Sequence, residues 1–312
     1  RSQYITFDRL FSFENPRLQY KEIQDDAWEQ ITLGKVKTGM TKAECKLSLG
    51  NPNEVKKIPT YSGLREQWIY NSGAYLFFVD DLLADCDMIK IEENYFIKDR
   101  HTFHMPVYTK WFVEYETVEE LVTLLQSDLL REHTFFPIGG GSNLLFVKEM
   151  YNGVLLHSAI QGMAVSEETD TEVLVEIGAG VVWDDFVAWT VSNGWGGAEN
   201  LSYIPGEVGA SAIQNIGAYG VEVKDIIHEV KAVDVETCES RTFRNAECRY
   251  GYRSSIFKHD WKGRYIVTSV VYRLQKSPEL HLDYGNLRAS LSGDDISIAD
   301  VRKAVIEIRR SK

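Results

Sequence analysis

The sequence predicts an α+β fold built from two successive units, a small one up to residue 87 and a larger one from residue 88. Three observations support this prediction. Short helical patterns precede alternating strand patterns in the first 87 residues. From Met88 onward, many strand-like segments alternate with few long helices, as in α+β proteins. The 312 residues are also enough for two or three domains.

The small unit begins with two predicted helices, the first at residues 26–33. Thr41 is a favoured N-cap residue, and Glu44 three positions later completes a capping box for the second helix. A Gly-Asn-Pro sequence at residues 50–52 ends that helix. A three-stranded sheet is predicted to follow, with its strands at residues 65–70, at residues 74–79 and from residue 82.

The larger unit is predicted to be a mixture of strands and a few helices. Its strands are predicted at residues 111–115, 135–138, 154–156, 172–177, 228–235 and 265–274. Its helices are predicted at residues 118–130, 183–193 and 298–309.

Composition excludes several classes of function. The net charge of -12, from 46 acidic and 34 basic residues, argues against a nucleic-acid partner, since the phosphate backbone requires a basic surface. No apolar run approaches the ~20 residues that span a bilayer, so we expect no membrane contact for residues 88–312. The four cysteines form no CxxC or Cys/His cluster, which indicates a reducing compartment and no metal site.

A glycine-rich loop at residues 137–146, PIGGGSNLLF, is the first chemical signal. A predicted strand leads into Gly139, and glycines let backbone N–H groups approach a ligand closely. Successive amides of this kind form an anion-binding nest suited to a pyrophosphate. The spacing matches neither GxGxxG nor GxxxxGK[ST], and a triple glycine alone is more often a flexible turn.

A second glycine-rich segment covers residues 197–220, GAENLSYIPGEVGASAIQNIGAYG. Its small residues and amides are suited to wrapping a flat, polar cofactor with backbone contacts. The alternative is a long surface loop, but loops of this length are usually functional.

A third segment at residues 248–258, CRYGYRSSIFK, combines two arginines, two tyrosines and a lysine. A guanidinium can bind a carboxylate or phosphate through two hydrogen bonds, and tyrosine can stack while donating a hydrogen bond. Taken alone, the segment is a basic, aromatic surface turn.

Together and in this order, the three segments resemble the enolpyruvoyl-UDP-GlcNAc reductase family. These enzymes belong to the flavoprotein group named after vanillyl-alcohol oxidase and para-cresol methylhydroxylase. The resemblance covers residues 94–312 and includes the Gly-Ala-Gly turn at 178–180 and the Tyr-Gly-Asn-Leu sequence at 284–287, typical of the type I enzyme. One departure is His104, which stands where the family has glycine after Thr102-Phe103.

The resemblance implies that FAD lies between two subdomains, residues 88–152 and 153–278, and that residues 279–312 begin a substrate-binding region. The residues implied to bind FAD are Ile138, Gly139, Gly140, Gly141, Ser142, Asn143, Ile204, Pro205, Gly206, Gly209, Ala210, Ser211, Asn215 and Gly217. The residues implied to bind the UDP-sugar are Tyr252, Arg253, Tyr284 and Lys312.

The implied reaction uses FAD and NADPH to reduce UDP-N-acetylenolpyruvoylglucosamine in the synthesis of peptidoglycan precursors. Arg253 is the implied catalytic residue, because a guanidinium beside developing negative charge stabilises the transition state. The proton donor of the family is a serine in a Gly-Ser-Phe-Phe segment, which the 312 residues lack. We therefore expect this chain to bind FAD but to reduce the enolpyruvyl substrate poorly.

The small unit resembles a different family. Residues 31–84 share Gly-Met-Thr, Leu-Gly-x-Pro and Glu-x-Trp-x-Tyr sequences with lipoprotein domains of the SmpA/OmlA type. That resemblance implies a non-catalytic interaction module of cell-envelope origin with an unknown partner, whereas the reductase family is cytoplasmic. The difference suggests a chain that joins two originally separate proteins near Met88.

Two alternative functions remain open at this point. An FAD-linked oxidase of the same fold often carries covalent FAD on His or Cys, and no His stands in the glycine-rich loop. A non-catalytic cell-envelope interaction protein would bind a partner through residues 1–87 and carry no flavin.

Overall fold

A computed structural model describes residues 17, 20–60, 63–70, 73–293 and 295–311. The chain divides into two compact units, Arg1–Ile89 and Lys90–Lys312. Across the described ranges, no helix is long and apolar enough to cross a membrane.

The first unit carries the two predicted helices, α1 (Asp25–Thr32) and α2 (Lys42–Leu49). The predicted capping box is confirmed: Glu44 donates its backbone N–H to the Thr41 hydroxyl, and the Glu44 carboxylate accepts from the Thr41 N–H. This box satisfies two of the amides that a helix start leaves unpaired.

The sheet of the first unit has four strands, so the predicted number of three is wrong. Its strands are β1 (Glu54–Thr60), β2 (Gly63–Ile69), β3 (Ala74–Val79) and β4 (Leu82–Met88), in that order and all antiparallel. The missed strand β1 lies at an edge, where lysines and proline are tolerated because only one neighbour needs its backbone groups. Lys56, Lys57 and Pro59 therefore hide the alternation that identifies a strand. Trp68 and Tyr70 are buried in the same core cluster as Phe78.

The second unit begins with a mixed sheet. Its strands are β5 (Lys90–Phe96), β6 (Tyr108–Tyr115), β7 (Phe135–Ile138) and β8 (Met150–Ser158), in the order β5-β6-β8-β7. Strand β8 runs parallel to both β6 and β7. Helices α3 (Val118–Gln126) and α4 (Asp128–Glu132) replace the single helix predicted at 118–130. The helix breaks at Ser127, which has an extended backbone and donates its hydroxyl to the Leu124 carbonyl.

A second, antiparallel sheet forms the core of this unit. Its strands are β9 (Met163–Glu168), β10 (Glu172–Gly178), β13 (Ile227–Asp234), β14 (Ser240–Arg244) and β15 (Tyr265–Gln275), in the order β14-β13-β15-β10-β9. Strands β11 (Gly217–Ala218) and β12 (Val221–Glu222) form a separate short pair. Helix α5 (Trp183–Ser192) contributes Trp183 and Phe186 to the buried cluster around Tyr272 of β15. Helix α7 (Ile298–Arg310) is the last helix of the described chain.

Part of the second glycine-rich segment is helical, although no helix was predicted there. Helix α6 (Val208–Gln214) runs through it, and its Gly209 lies directly on the Gly-Ala-Gly turn. A Cβ on Gly209 would stand 2.9 Å from the Ala179 Cβ, so only glycine allows this approach. Glycine has a low helix propensity, and small side chains bury little apolar surface. The helix therefore depends on contacts with the rest of the unit.

Candidate functional site

The glycine-rich loop follows β7 and lies against the second glycine-rich segment. A Cβ on Gly140 would stand 3.5 Å from the Gly206 Cα, and one on Gly139 would stand 3.3 Å from the Ala210 Cβ. Gly141 has a φ of 64°, and a Cβ there would come within 1.9 Å of the Arg100 carbonyl oxygen. This loop therefore requires glycine for both space and backbone conformation.

Two side chains tie the loop to that segment. The Ser142 hydroxyl donates to the Pro205 carbonyl over 3.3 Å, and the Asn143 amide donates to the Gln214 side chain over 2.9 Å. The structure thus brings together residues 139–143 and 204–214, which are about sixty positions apart in the sequence. Glycines lie on both sides of the junction, at residues 139–141 and at Gly206, so no side chain there keeps a ligand from the backbone.

Two of the predicted cofactor residues point into the protein interior. The Ile138 side chain is buried in the core cluster with Ile97 and Phe112. The Ser211 hydroxyl is buried, donates to the Val208 carbonyl and lies 3.1 Å from the Tyr272 hydroxyl. Both side chains therefore support the segments on which they lie.

The turn that carries Arg253 is fixed to the end of the second glycine-rich segment. The buried Asn215 adopts a left-handed backbone conformation and donates its side-chain amide to the Gly251 carbonyl over 2.7 Å. The Arg253 guanidinium donates to the Gly217 carbonyl, and Lys258 donates to the Arg253 carbonyl. The guanidinium is consequently held beside residues 215–217, and the adjacent Tyr252 ring is 85% exposed.

Tyr284 lies against the same segment from another side. Its ring centroid is 6.5 Å from that of Tyr219, in an edge-on arrangement. A Cβ on Gly220 would stand 3.3 Å from the Tyr284 Cβ, so glycine leaves room for this tyrosine. The Tyr284 side chain is exposed. Lys312, the remaining predicted substrate residue, lies outside the described residues.

A chain of buried and half-buried charged side chains next to the glycine-rich loop was not predicted from the sequence. His157, at the end of β8, lies 2.8 Å through Nδ1 from the Glu114 carboxylate and 3.0 Å through Nε2 from the Glu207 carboxylate. The Arg100 guanidinium extends the chain, 3.4 Å from Glu114. Because carboxylates only accept hydrogen bonds here, the imidazole donates from both nitrogens and is positively charged.

Electrostatics agree with this assignment. Burial alone would lower the pKa of His157, but its hydrogen bonds and charge attraction to Glu207 and Glu114 outweigh burial and raise that pKa. Burial would raise the pKa of Glu114, yet His157 and Arg100 hold it below its ordinary value. The contacts within the network therefore favour the charged forms of His157 and Glu114.

A second unpredicted feature holds the turn that leads into Ile204. Asp184, in the first turn of α5, accepts two hydrogen bonds from Arg302 of α7, at 2.7 and 3.0 Å. The same carboxylate accepts from the Tyr203 backbone N–H, and Arg309 donates to the Tyr203 carbonyl. Tyr203 has a φ of 60°, so these contacts hold an unfavourable backbone conformation.

One sequence signal could have found the buried network. Glu199 and Glu207 are the only charged residues among positions 197–220. A lone carboxylate in an otherwise uncharged, glycine-rich segment needs a partner or a ligand. No sequence pattern connects Glu207 to Glu114 and His157, because the three residues come from separate elements.

His104 occupies a position that favours glycine. Its φ is 48°, in the left-handed region, and histidine is among the non-glycine residues that adopt it more readily. The substitution is therefore accommodated by the backbone. The ring is exposed and lies 3.8 Å from Asp99.

One surface cleft of the described chain lies apart from this arrangement. A surface cleft of about 600 Å³ is lined by residues that include Lys224, His228 and Arg273, and no predicted site residue lines it. Among the described residues, no group of three or more His, Cys, Asp or Glu side chains is placed to hold a metal ion.

Comparison with known proteins identifies the family. Residues 109–241 match the family model described as FAD binding domain. The UDP-N-acetylenolpyruvoylglucosamine reductase of Flavobacterium johnsoniae is 42% identical over 228 residues, which are 72% of this chain and 67% of that protein. The reductase of Bacteroides fragilis is 47% identical over 223 residues, 71% of this chain and 66% of that protein. The chain thus spans about two thirds of the length of these relatives.

A solved structure supports the fold. The UDP-N-acetylenolpyruvylglucosamine reductase of Thermus caldophilus aligns with a TM-score of 0.53 at 22% identity, covering 72% of this chain and 69% of that one. The predicted α+β FAD-binding fold and the predicted family are confirmed, and FAD is the cofactor of this domain type. The chain belongs to the UDP-N-acetylenolpyruvoylglucosamine reductase family.

Proposed function

We propose that the second unit binds FAD and uses NADPH to reduce UDP-N-acetylenolpyruvoylglucosamine to UDP-N-acetylmuramate, in the cytoplasm. Membership of the reductase family supports this proposal. The observation that carries it is the junction of the two glycine-rich segments through Ser142–Pro205 and Asn143–Gln214. The relatives named above are reductases, which favours a reductase over an FAD-linked oxidase.

The residues at the junction fit FAD. Side chains at Gly139, Gly140, Gly141 or Gly206 would enter the space between the segments or clash with them. In the proposal, the amides of residues 139–143 hold the pyrophosphate, since successive N–H groups form an anion nest. Residues 204–217 line the flavin through the backbone and small side chains.

Arg253 is the proposed catalytic residue. When bound, FAD supplies the hydride chemistry, which no amino-acid side chain provides. The guanidinium lies beside Gly217, next to the proposed flavin segment, and its contact with the Gly217 carbonyl orients it. There it can bind the substrate carboxylate and stabilise the negative charge that develops as the double bond is reduced.

Tyr252 and Tyr284 are proposed to contact the UDP-sugar. Both side chains are exposed, and both lie on segments that touch residues 215–220. Their hydroxyls can donate hydrogen bonds to phosphate oxygens. Lys312 remains a sequence-based proposal for the same diphosphate.

No proton donor is assigned within the described residues. The hydroxyl of Ser142 is bonded to the Pro205 carbonyl, that of Ser211 to the Val208 carbonyl, and that of Ser254 lies 2.7 Å from His259. We therefore treat flavin reduction and substrate reduction as two separate tests.

We propose subdomain boundaries that follow the sheets. The sequence-based boundary between residues 152 and 153 falls inside β8, which pairs with β6 along its length. We place the end of the first FAD subdomain after Ser158 and let the second run from β9 to β15. Each of the two large sheets then lies within one subdomain. For the first unit, a non-catalytic interaction role stays a prediction.

The experiment is an anaerobic absorption titration of the purified chain with NADPH, followed by UDP-N-acetylenolpyruvoylglucosamine. Loss of the visible flavin bands on adding NADPH is expected, and slow return on adding the UDP-sugar would demonstrate the second half-reaction. A chain that cannot be loaded with FAD, or bound FAD that NADPH does not reduce, would contradict the proposal.

A further inference from the structure

We infer that Glu207 is an unassigned cofactor-binding residue whose Oε2 accepts a hydrogen bond from a hydroxyl of FAD, on its ribityl chain or its ribose. This inference rests on the proposed function and adds a specific contact to it. Glu207 Oε2 is fully buried and has no hydrogen-bond partner within the described ranges. Burying a carboxylate oxygen without a hydrogen-bond partner costs desolvation free energy, and a donor on a bound ligand would remove that cost.

The position of this oxygen connects it to the cofactor cradle. Oε2 lies 3.2 Å from the point where a Cβ on Gly139 would stand, and Oε1 lies 3.7 Å from the corresponding point on Gly140. Glu207 directly follows Gly206, which forms the opposite wall. The carboxylate is therefore at the junction of the two glycine-rich segments.

The other carboxylate oxygen is already committed. Oε1 accepts from His157, which in turn is bound to Glu114 and, through it, to Arg100. Two positive and two negative groups alternate along this chain, so the Glu207 carboxylate has a cation beside it, close to a proposed pyrophosphate site. The hydrogen bond from His157 to Oε1 also orients the side chain, with Oε2 near Gly139.

The chemistry of the ligand group follows from the acceptor. An ionised carboxylate accepts only, so its partner is a donor and not a phosphate oxygen. In FAD each phosphate carries a polyol, the ribityl chain on one side and the ribose on the other. A hydroxyl is thus the donor nearest to a pyrophosphate held by Gly139 and its neighbours.

The test compares FAD binding to apoprotein of the full chain with that of Glu207→Gln and Glu207→Ala, by flavin fluorescence. In Glu207→Gln the amide oxygen faces the protonated His157, which places the amide nitrogen where Oε2 was. Glu207→Ala loses the charge-assisted hydrogen bond, and FAD binding should weaken about tenfold or more. Glu207→Gln exchanges it for a weaker neutral bond in which the hydroxyl accepts, and FAD binding should weaken about fivefold. Glu207→Gln keeps the side-chain volume, so it gives a result even where Glu207→Ala does not fold.

Glu114→Gln is the matched control, because it disturbs the same network from its other end and leaves Oε2 in place. We expect it to change FAD affinity less than about threefold. Wild-type affinity in Glu207→Gln, or an equal loss in Glu114→Gln, would overturn the inference. Failure of the unsubstituted chain to bind FAD would instead overturn the proposed function.

Binding of FMN and of ADP then assigns the hydroxyl. FMN contains the ribityl chain without the ribose, and ADP contains the ribose without the ribityl chain. A Glu207→Gln defect that persists with FMN alone identifies the ribityl chain, and one that persists with ADP alone identifies the ribose. A defect with FAD but with neither fragment would contradict a direct hydroxyl contact.

Discussion

The glycine-rich loop at 139–143 and the turn that carries Arg253 both lie against residues 204–220, but they are held in different ways. The loop combines side-chain hydrogen bonds from Ser142 and Asn143 with close backbone approach, and Gly141 has no space for a side chain. The Arg253 turn is held by side-chain hydrogen bonds from Asn215 and from Arg253 itself. Next to the loop lie buried and half-buried charged side chains, whereas Tyr252 in the turn is exposed.

This difference indicates two kinds of preorganisation within one site. The proposed cofactor side is shaped by steric contacts that cannot adjust, so small substitutions there should cost stability. The proposed substrate side is shaped by single hydrogen bonds on an exposed turn, so substitutions there should affect ligand binding more than folding.

The largest effect is expected from Gly141→Ala. The new Cβ would meet the Arg100 carbonyl at 1.9 Å and would also occupy a left-handed conformation. We expect the free energy of unfolding to fall by more than about 3 kcal/mol, measured by urea denaturation. Gly263→Ala is the control, since Gly263 has a φ of 79° with no atom within 4 Å of its Cβ position. It should lose only about 1 kcal/mol. Equal losses in the free energy of unfolding of the two variants would show that the loop is not sterically constrained.

A smaller loss is expected from breaking the contact between α5 and α7. Arg302→Gln leaves Asp184 largely buried without its cation and loosens the turn at Tyr203. We expect a loss of about 2–4 kcal/mol in the free energy of unfolding and weaker FAD binding. Arg249→Gln removes a comparable pair with Asp260 that is exposed, and it should cost less than about 1 kcal/mol. A loss for Arg302→Gln no greater than that of the control would refute this account of the turn.

Arg253→Lys should separate substrate binding from cofactor binding. A lysine ammonium lacks the planar array of donors of a guanidinium. It therefore cannot bind the Gly217 carbonyl and a carboxylate together as Arg253 can. We expect UDP-N-acetylenolpyruvoylglucosamine to perturb the flavin spectrum with about tenfold weaker affinity, while FAD affinity stays unchanged. A parallel loss of FAD affinity would mean that the turn supports the cofactor side as well.

The smallest effect is a pH dependence of stability from the buried network. Folding raises the pKa of His157. Its contribution to the free energy of unfolding is therefore fully present below about pH 6.5, its ordinary pKa, and is lost as the pH rises through the raised pKa. Folding lowers the pKa of Glu114. Its contribution to the free energy of unfolding is therefore present when the pH is above its ordinary pKa, and is lost as the pH falls through the lowered pKa. Urea denaturation across this range should show a decline toward alkaline pH that is absent in His157→Gln. A decline of the same size in His157→Gln would assign it to other groups.

Much of the fold was predictable because its signals are local. Capping residues located the start of α2, and the glycine-rich motifs located the two sides of the junction. The edge strand β1 and the short helix α6 were missed, since their residues have weak intrinsic preference and depend on neighbouring elements.

The site was predictable only in part, for a similar reason. A glycine that admits close approach is visible as a motif, as with Gly139 and Gly206. The pairs Asp184–Arg302 and His157–Glu207 join residues 118 and 50 positions apart, and no sequence period connects them. Such contacts follow from the tertiary structure, which brings the carboxylates and their partners together.

If the two glycine-rich segments form one FAD site, FAD titration of the 312-residue apoprotein will detect it. We expect saturable binding of one FAD per chain, with the shifted visible bands of an enclosed flavin, and a marked loss of binding in Gly141→Ala but not in Gly263→Ala. A folded chain that binds no FAD, or that binds it equally well in both glycine variants, would contradict it.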